Sequence, residues 1–186
     1  RALSANPDRL HFAAHSHHLW PDASFDGQVE AWEDAARLAD LKWGRIMGPV
    51  WEEAQRHIAR ELQLPDPSTL SFSPNTHDFL VRIFSAIPKR PVRVLATDGE
   101  FHSFRRQMAR WVEAGEALLV NAPADELVAT AEAGGFDLIF ASHVLFNSGA
   151  IISEFERLAA LAKPDGPWVV VDGYHGFMAI ETDLSA

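Results

Sequence analysis

Five short apolar runs punctuate the chain, at Leu70–Ser73, Val92–Thr97, Ala117–Asn121, Asp137–Ser142 and Trp168–Asp172. Each is followed by a polar turn and then a helical pattern. The runs starting at Val92, Leu138 and Trp168 are nearly continuous rather than alternating, as expected of strands covered on both faces. Between them, Phe79, Leu80, Ile83, Phe84 and Ile87 form one helical stripe, and Phe101, Phe104, Met108, Trp111 and Val112 another. Ser153 and Glu156 have the spacing of a capping box ahead of Phe155, Leu158 and Leu161. Strands alternating with helices predict an α/β fold, a mostly parallel sheet with helices on both faces, over residues 69–186. Residues 1–68 read differently. They hold two helical stretches, near Ala23–Leu41 and Pro49–Leu62, joined by a Trp43-Gly44 turn, and form a helical N-terminal segment packed on the α/β body.

Composition narrows the function classes. With 186 residues, 47% of them hydrophobic, the chain can bury one sizeable core. Sixteen basic against 26 acidic residues give a net charge of −10, which argues against a nucleic-acid partner. The absence of cysteine removes disulfides and thiolate metal sites or nucleophiles. No apolar run approaches the roughly 20 residues of a membrane span and no signal-peptide pattern opens the chain, so a cytoplasmic protein with no membrane partner is expected. A start at Arg1 and a stop at Ala186 suggest part of something longer.

Neither a dinucleotide fingerprint, a P-loop nor a G-x-S-x-G elbow is present. Ligands of open α/β sheets sit beyond the carboxyl ends of the strands, and three polar clusters fall there. Asp172-Gly-Tyr-His175 follows the Trp168 run; an aspartate in that position needs a donor or cationic partner, and taken alone it reads best as a cap of the next turn. Ser73-Pro-Asn75-Thr76-His77-Asp78 opens the Phe79 helix. Its free amides and dipole suit an anion such as phosphate, but Asn75 as a plain N-cap is the better reading of the cluster alone, since Asp78 repels an anion. In Glu100-Phe101-His102-Ser103, Phe101 offers a ring face for stacking, or else joins the core with Phe104 and Met108. His11, His15, His17 and His18 have spacing that can bind zinc or copper, but no carboxylate or thiolate completes a site, so no metal is expected; His17 or His18 lining a substrate pocket is the better reading.

Together these clusters resemble one family, the fold-type-I pyridoxal-phosphate (PLP) enzymes of the class V aminotransferase group, with kynureninase the nearest member. The segment Phe12 to Pro21 is similar to the kynureninase F-x-G-N-S-L-G-L-x-P stretch, and Trp32, Trp43 and Trp51 to the tryptophan-marked helices after it. Pro74 to His77 stands where the family holds the cofactor phosphate, Glu100 to Ser103 resembles its x-F-P-S-D stretch, Ser142 to Gly149 its strand-and-turn beside the cofactor, and Asp172-x-x-His175 its D-x-x-H.

The resemblance implies a PLP-dependent transferase large domain, here incomplete, with pyridoxal 5'-phosphate as cofactor. It implies that Asp172 pairs with the pyridine nitrogen and that His175 orients it or covers the ring, as the catalytic pair. Asn75, Thr76, His77, Phe101 and Asn147 join them in holding the cofactor, and Ser16 and His17 face a small amino-acid substrate. It further implies a homodimer and, if the chemistry follows kynureninase, hydrolytic C–C cleavage of a 3-acylalanine. A class V aminotransferase or a cysteine-desulfurase-type lyase is the close alternative, and a non-enzymatic metal- or ligand-binding domain built on the histidines the distant one. Phe104 in place of the motif's aspartate, and His15, His17 and His18 in the N-terminal motif, put kynurenine itself in doubt. Only Lys42, Lys89 and Lys163 are present, none suitably placed. The Schiff-base lysine is therefore expected beyond Ala186, and the chain alone is expected to be inactive.

Overall fold

The computed structural model describes residues 6–12, 17 and 19–185. Their contacts divide into two compact units, one reaching to Phe72 and rejoined by the chain from Met178 onward, the other Ser73–Phe177.

The first unit is helical. Helix α1 (Asp22–Leu38) runs through a 3-10 turn (Ala39–Leu41) into the short α2 (Lys42–Arg45). There the expected Trp43-Gly44 turn is helical instead. A wide turn at Ile46–Val50 holds the break: Gly48 leaves helical geometry and Pro49 lacks an amide to continue the ladder, before α3 (Trp51–Glu61). Asp34 of α1 is buried, accepts a hydrogen bond from Arg37 (2.9 Å) and forms an ion pair with Arg45, which ties α1 to α2. The expected strand at Leu70–Ser73 does not form. Its apolar residues serve α3 instead: Phe72 packs edge-on against Trp51 at 4.6 Å, and the Leu70 carbonyl accepts from Gln55 at 2.7 Å. The returning chain donates from the Leu184 amide to the Leu62 carbonyl at 3.0 Å.

The second unit is the α/β body. It contains α4 (Thr76–Ala86), β1 (Val92–Thr97), α5 (His102–Glu113), β2 (Ala117–Ala122), α6 (Leu127–Glu132), β3 (Leu138–Ser142), α7 (Phe155–Ala159) and β4 (Trp168–Asp172). All four strands are parallel, in the order β2-β1-β3-β4. The step from β1 to β2 runs one way across the sheet; those from β2 to β3 and β3 to β4 run the other way. Right-handed crossovers must then place α5 on one face and α6 and α7 on the opposite one. The two cores record that arrangement. Val92, Val94, Ala96, Leu138 and Phe140 pack with Leu80 and Phe84 of α4 and Phe104 and Met108 of α5. Leu95, Ile139 and Ala141 pack with Leu127, Val128 and Ala131 of α6 and Leu158 of α7. The fold is therefore the expected parallel sheet with helices on both faces.

Two local expectations fail. Only β3 is buried at every position; β4 is an outer strand of the described sheet, and Trp168 and Val171 remain exposed. The capping box at Ser153 is absent because α7 starts one residue later. Glu154 is the N-cap, Glu156 stands at the second helical position, and Arg157 holds the turn through Glu154 and Glu132.

Ile139 is fully buried between α6, α7 and the central strands. Ile139→Ala should destabilise the protein by about 2–5 kcal/mol, through lost burial and a cavity that close-packed neighbours cannot fill. Denaturant titration checks this; an unchanged midpoint would contradict the assignment of that core.

Candidate functional site

The direction of chain crossing reverses between β1 and β3, so a crevice is expected at their carboxyl ends. Their backbone pairing ends at Ala96 and Phe140, whereas β1 pairs with β2 as far as Thr97 and β3 with β4 as far as Ser142 and Asp172. Across the resulting gap lies a residue that sequence reasoning passed over. Glu100 is 1% exposed; its carboxylate accepts from the Thr97 hydroxyl (2.6 Å), the Ser142 amide (3.0 Å) and the Ser142 hydroxyl (2.5 Å). Burial pushes its pKa above the ordinary glutamate value, the nearby charge of Asp172 adds to the rise, and the three hydrogen bonds oppose it.

The next residue, Phe101, is not in the core stripe. It precedes α5, half-buried, with its ring 5.1 Å from that of Phe146 and 5.5 Å from that of His175. His175 is 6% exposed and also meets Phe146 and Tyr174, each at 5.2 Å. Asp172 ends β4. Its Oδ1 accepts from the Tyr174 amide at 2.9 Å, the turn-capping role, and its Oδ2 takes no hydrogen bond among the described residues. Phe104, by contrast, is a core aromatic, stacked on Phe140 at 4.2 Å.

Beside Asp172, a cavity of about 230 Å³ opens between the start of α4 and the end of β4. Its wall is apolar (Phe79, Leu80, Ile83, Val170) except for Thr76, Asp172 and Tyr174. At the helix start, Asn75 is the cap. Its Oδ1 accepts the Asp78 amide at 2.9 Å and its carbonyl the Phe79 amide at 3.4 Å. The amides of Thr76 and His77 are left without an acceptor among the described residues. Asp78 adds less repulsion to an anion there than its charge suggests. Ser73 and Arg82 engage its carboxylate, holding its pKa low, and the Arg82 guanidinium at 2.6 Å offsets the charge.

The structure thus joins Thr76 and Asp172 on one cavity, and Phe101 with His175 in one ring cluster that Tyr174 links to the cavity wall. Asn147 is not among them. It lies exposed at the tip of a tight loop closed by Leu145 and Ala150, and the residue of that loop that reaches the cluster is Phe146. The available signal for Phe146 was an aromatic in the turn after the fully apolar β3. His143 was also missed. It sits against Gly176, where a Cβ would lie 2.9 Å from its Nδ1, and burial lowers its pKa. Ser16, His15 and His18 lie outside the described residues. The His17 carbonyl accepts from the His11 ring at 2.7 Å, and no group of three or more histidine, aspartate or glutamate side chains among the described residues is placed to hold a metal ion. Lys89 pairs with Asp137 at 2.8 Å, at the amino end of the sheet and away from Asp172.

No protein-family model matches the chain, and no curated protein matches it in sequence. Solved structures do match. The cystine C-S lyase C-DES, in complex with its reaction product cysteine persulfide, superposes with a TM-score of 0.73 at 16% identity, over 91% of this chain and 48% of that one. A lysine-to-alanine variant of C-DES with glycine covalently linked to its PLP cofactor gives a TM-score of 0.78 at 15% identity, over 98% and 51%. The chain therefore has the fold of about half of C-DES, spanning about half the length of the structures it matches.

The raised pKa of Glu100 has a stability consequence. The folded state keeps a proton that the unfolded chain releases at the ordinary glutamate pKa. The contribution is present in full below that value and is lost as pH rises through the raised one. Glu100→Gln removes this titration. Denaturation between about pH 4 and pH 8 should therefore show a smaller loss of stability with rising pH in the variant than in the parent; parallel curves would mean that Glu100 does not titrate in this range.

Proposed function

We propose that this chain is part of a PLP-dependent enzyme acting on an amino acid. The observation that carries the reading is the shared cavity, lined by Asp172 and by Thr76 at the start of α4, at the carboxyl edge of a C-DES-like sheet. The residues fit the cofactor chemically. The Thr76 and His77 amides and the positive end of α4 suit a phosphate. Asp172, with one oxygen in its turn and the other open, suits a protonated ring nitrogen. Phe101 and His175 form a ring cluster that Tyr174 joins to the cavity wall.

When bound, PLP supplies an electron sink for bonds broken at the substrate α-carbon. Asp172 holds the proton on the ring nitrogen; an opposite charge at contact distance shifts such a pKa by about 1–3 units, or roughly 1.4–4 kcal/mol in favour of the charged ring. Phe101, packed on His175, would limit the tilt of a ring that reached their cluster. The apolar wall of Phe79, Ile83 and Val170 excludes water and strengthens these interactions.

Within that class we favour a lyase that cleaves a C–S bond over kynureninase-like C–C hydrolysis or class V transamination. Likeness to a cystine C-S lyase supports the choice, and so does Phe104: where the kynureninase motif carries an aspartate, this chain has a buried aromatic facing Phe140. The lysine that anchors the cofactor, and a homodimeric assembly, belong to the same reading.

In the full-length protein, Asp172→Ala should lower turnover of cystine by about 10- to 1000-fold while the unfolding midpoint stays close to that of the parent. Unchanged turnover would remove Asp172 from the mechanism. A parent protein that leaves the absorption spectrum of added PLP unaltered would contradict the class itself.

A further inference from the structure

Glu100 is an unusual residue to find without a cationic partner. Glutamate is almost never fully buried unless paired, and no lysine or arginine among the described residues meets this one. Its bonds also lie where the sheet has none of its own. Backbone pairing between β1 and β3 stops at Ala96 and Phe140. Beyond that last pair, Thr97, one residue past Ala96, and Ser142, two past Phe140, are joined through the Glu100 carboxylate, two oxygens taking three donors from the two strand ends. Each end leads directly to a candidate residue. Phe101 is the chain neighbour of Glu100, and Asp172 is the ladder partner of Ser142, with the His143 amide bonded to the Asp172 carbonyl at 2.9 Å.

We propose that Glu100 is a positioning residue: by bridging Thr97 and Ser142 across the crevice, it sets the separation between the Phe101–His175 ring cluster and the Asp172 carboxylate. The inference rests on the PLP reading for its functional meaning, but its geometric content stands apart from it. Apolar side chains at these three positions would satisfy the fold by letting the strands close up. The carboxylate instead props them at a fixed distance, because its two oxygens are one rigid group with donors on both sides.

The test uses the full-length protein with histidine side chains isotopically labelled, and two readouts. The first is the imidazole resonance of His175, displaced by the ring currents of Phe101, Phe146 and Tyr174. The second is the dissociation constant for added PLP. Glu100→Ala should move the His175 resonance toward that of a solvated imidazole and weaken PLP binding by about 10- to 100-fold, since small misplacements of a site carry losses of that order. Glu100→Gln keeps the shape and the acceptor oxygen, so it should restore the resonance and bring PLP affinity within about threefold of the parent. Ser142→Ala, which deletes one donor only, should displace the resonance in the same direction by a smaller amount, and it decides the question if Glu100→Ala does not fold. The proposal is overturned if the His175 resonance is unmoved in the alanine variants, or if Glu100→Gln behaves like Glu100→Ala. If the parent protein binds no PLP, the functional reading fails while the resonance still decides the role of Glu100.

Discussion

The reversal of crossover direction at β1 and β3 is the constraint on which the α/β unit depends. Once β2 lies on one side of β1 and β3 and β4 on the other, right-handed connections force the helices onto opposite faces. Both faces of the central strands are then buried, and their side chains must be apolar: Val92, Val94 and Ala96 on one side, Leu95, Ile139 and Ala141 on the other. The loops leaving β1 and β3 lead to helices on opposite faces, and between the two strand ends lies the Glu100 carboxylate, with Gly99 packed close to Leu145. Polar groups collect there because that space is the part of the sheet where backbone pairing has stopped.

What those groups can do follows from which of them are already satisfied. Thr97, Ser142 and Glu100 satisfy one another. Asn75 is committed to its helix and one Asp172 oxygen to its turn, whereas the Thr76 and His77 amides and the other Asp172 oxygen are open. The open groups are donors at the α4 end and an acceptor at the β4 end, with aromatic rings beside them. A ligand with an anion at one end and a cationic aromatic nitrogen at the other matches that polarity.

Much of the fold was legible in the sequence. Val92–Thr97 and Trp168–Asp172 have the bounds that their apolar runs indicate, the Phe79 stripe falls on α4, and Phe104, Met108 and Trp111 of the next stripe fall on α5, with Phe101 just outside it. Periodicity failed where an apolar run had another use. Leu70–Ser73 has the composition of a strand, yet Phe72 is taken up by Trp51 and the segment joins no ladder among the described residues. At the site, residues following strand ends were visible, but partners distant in sequence were not. Nothing local in Glu100 indicates that Ser142, 42 residues later, will bond it, and nothing in Phe146 indicates that its ring rather than the Asn147 amide reaches His175. Such contacts are products of topology.

The most direct test of the account is a crystal structure of the full-length protein grown with PLP. Bound PLP should have its phosphate at the Thr76 and His77 amides, its ring nitrogen within hydrogen-bonding reach of Asp172, and its ring face against the Phe101–His175 cluster. PLP bound at another place, or a carboxyl edge on which Asp172 turns away from the cofactor, would contradict it.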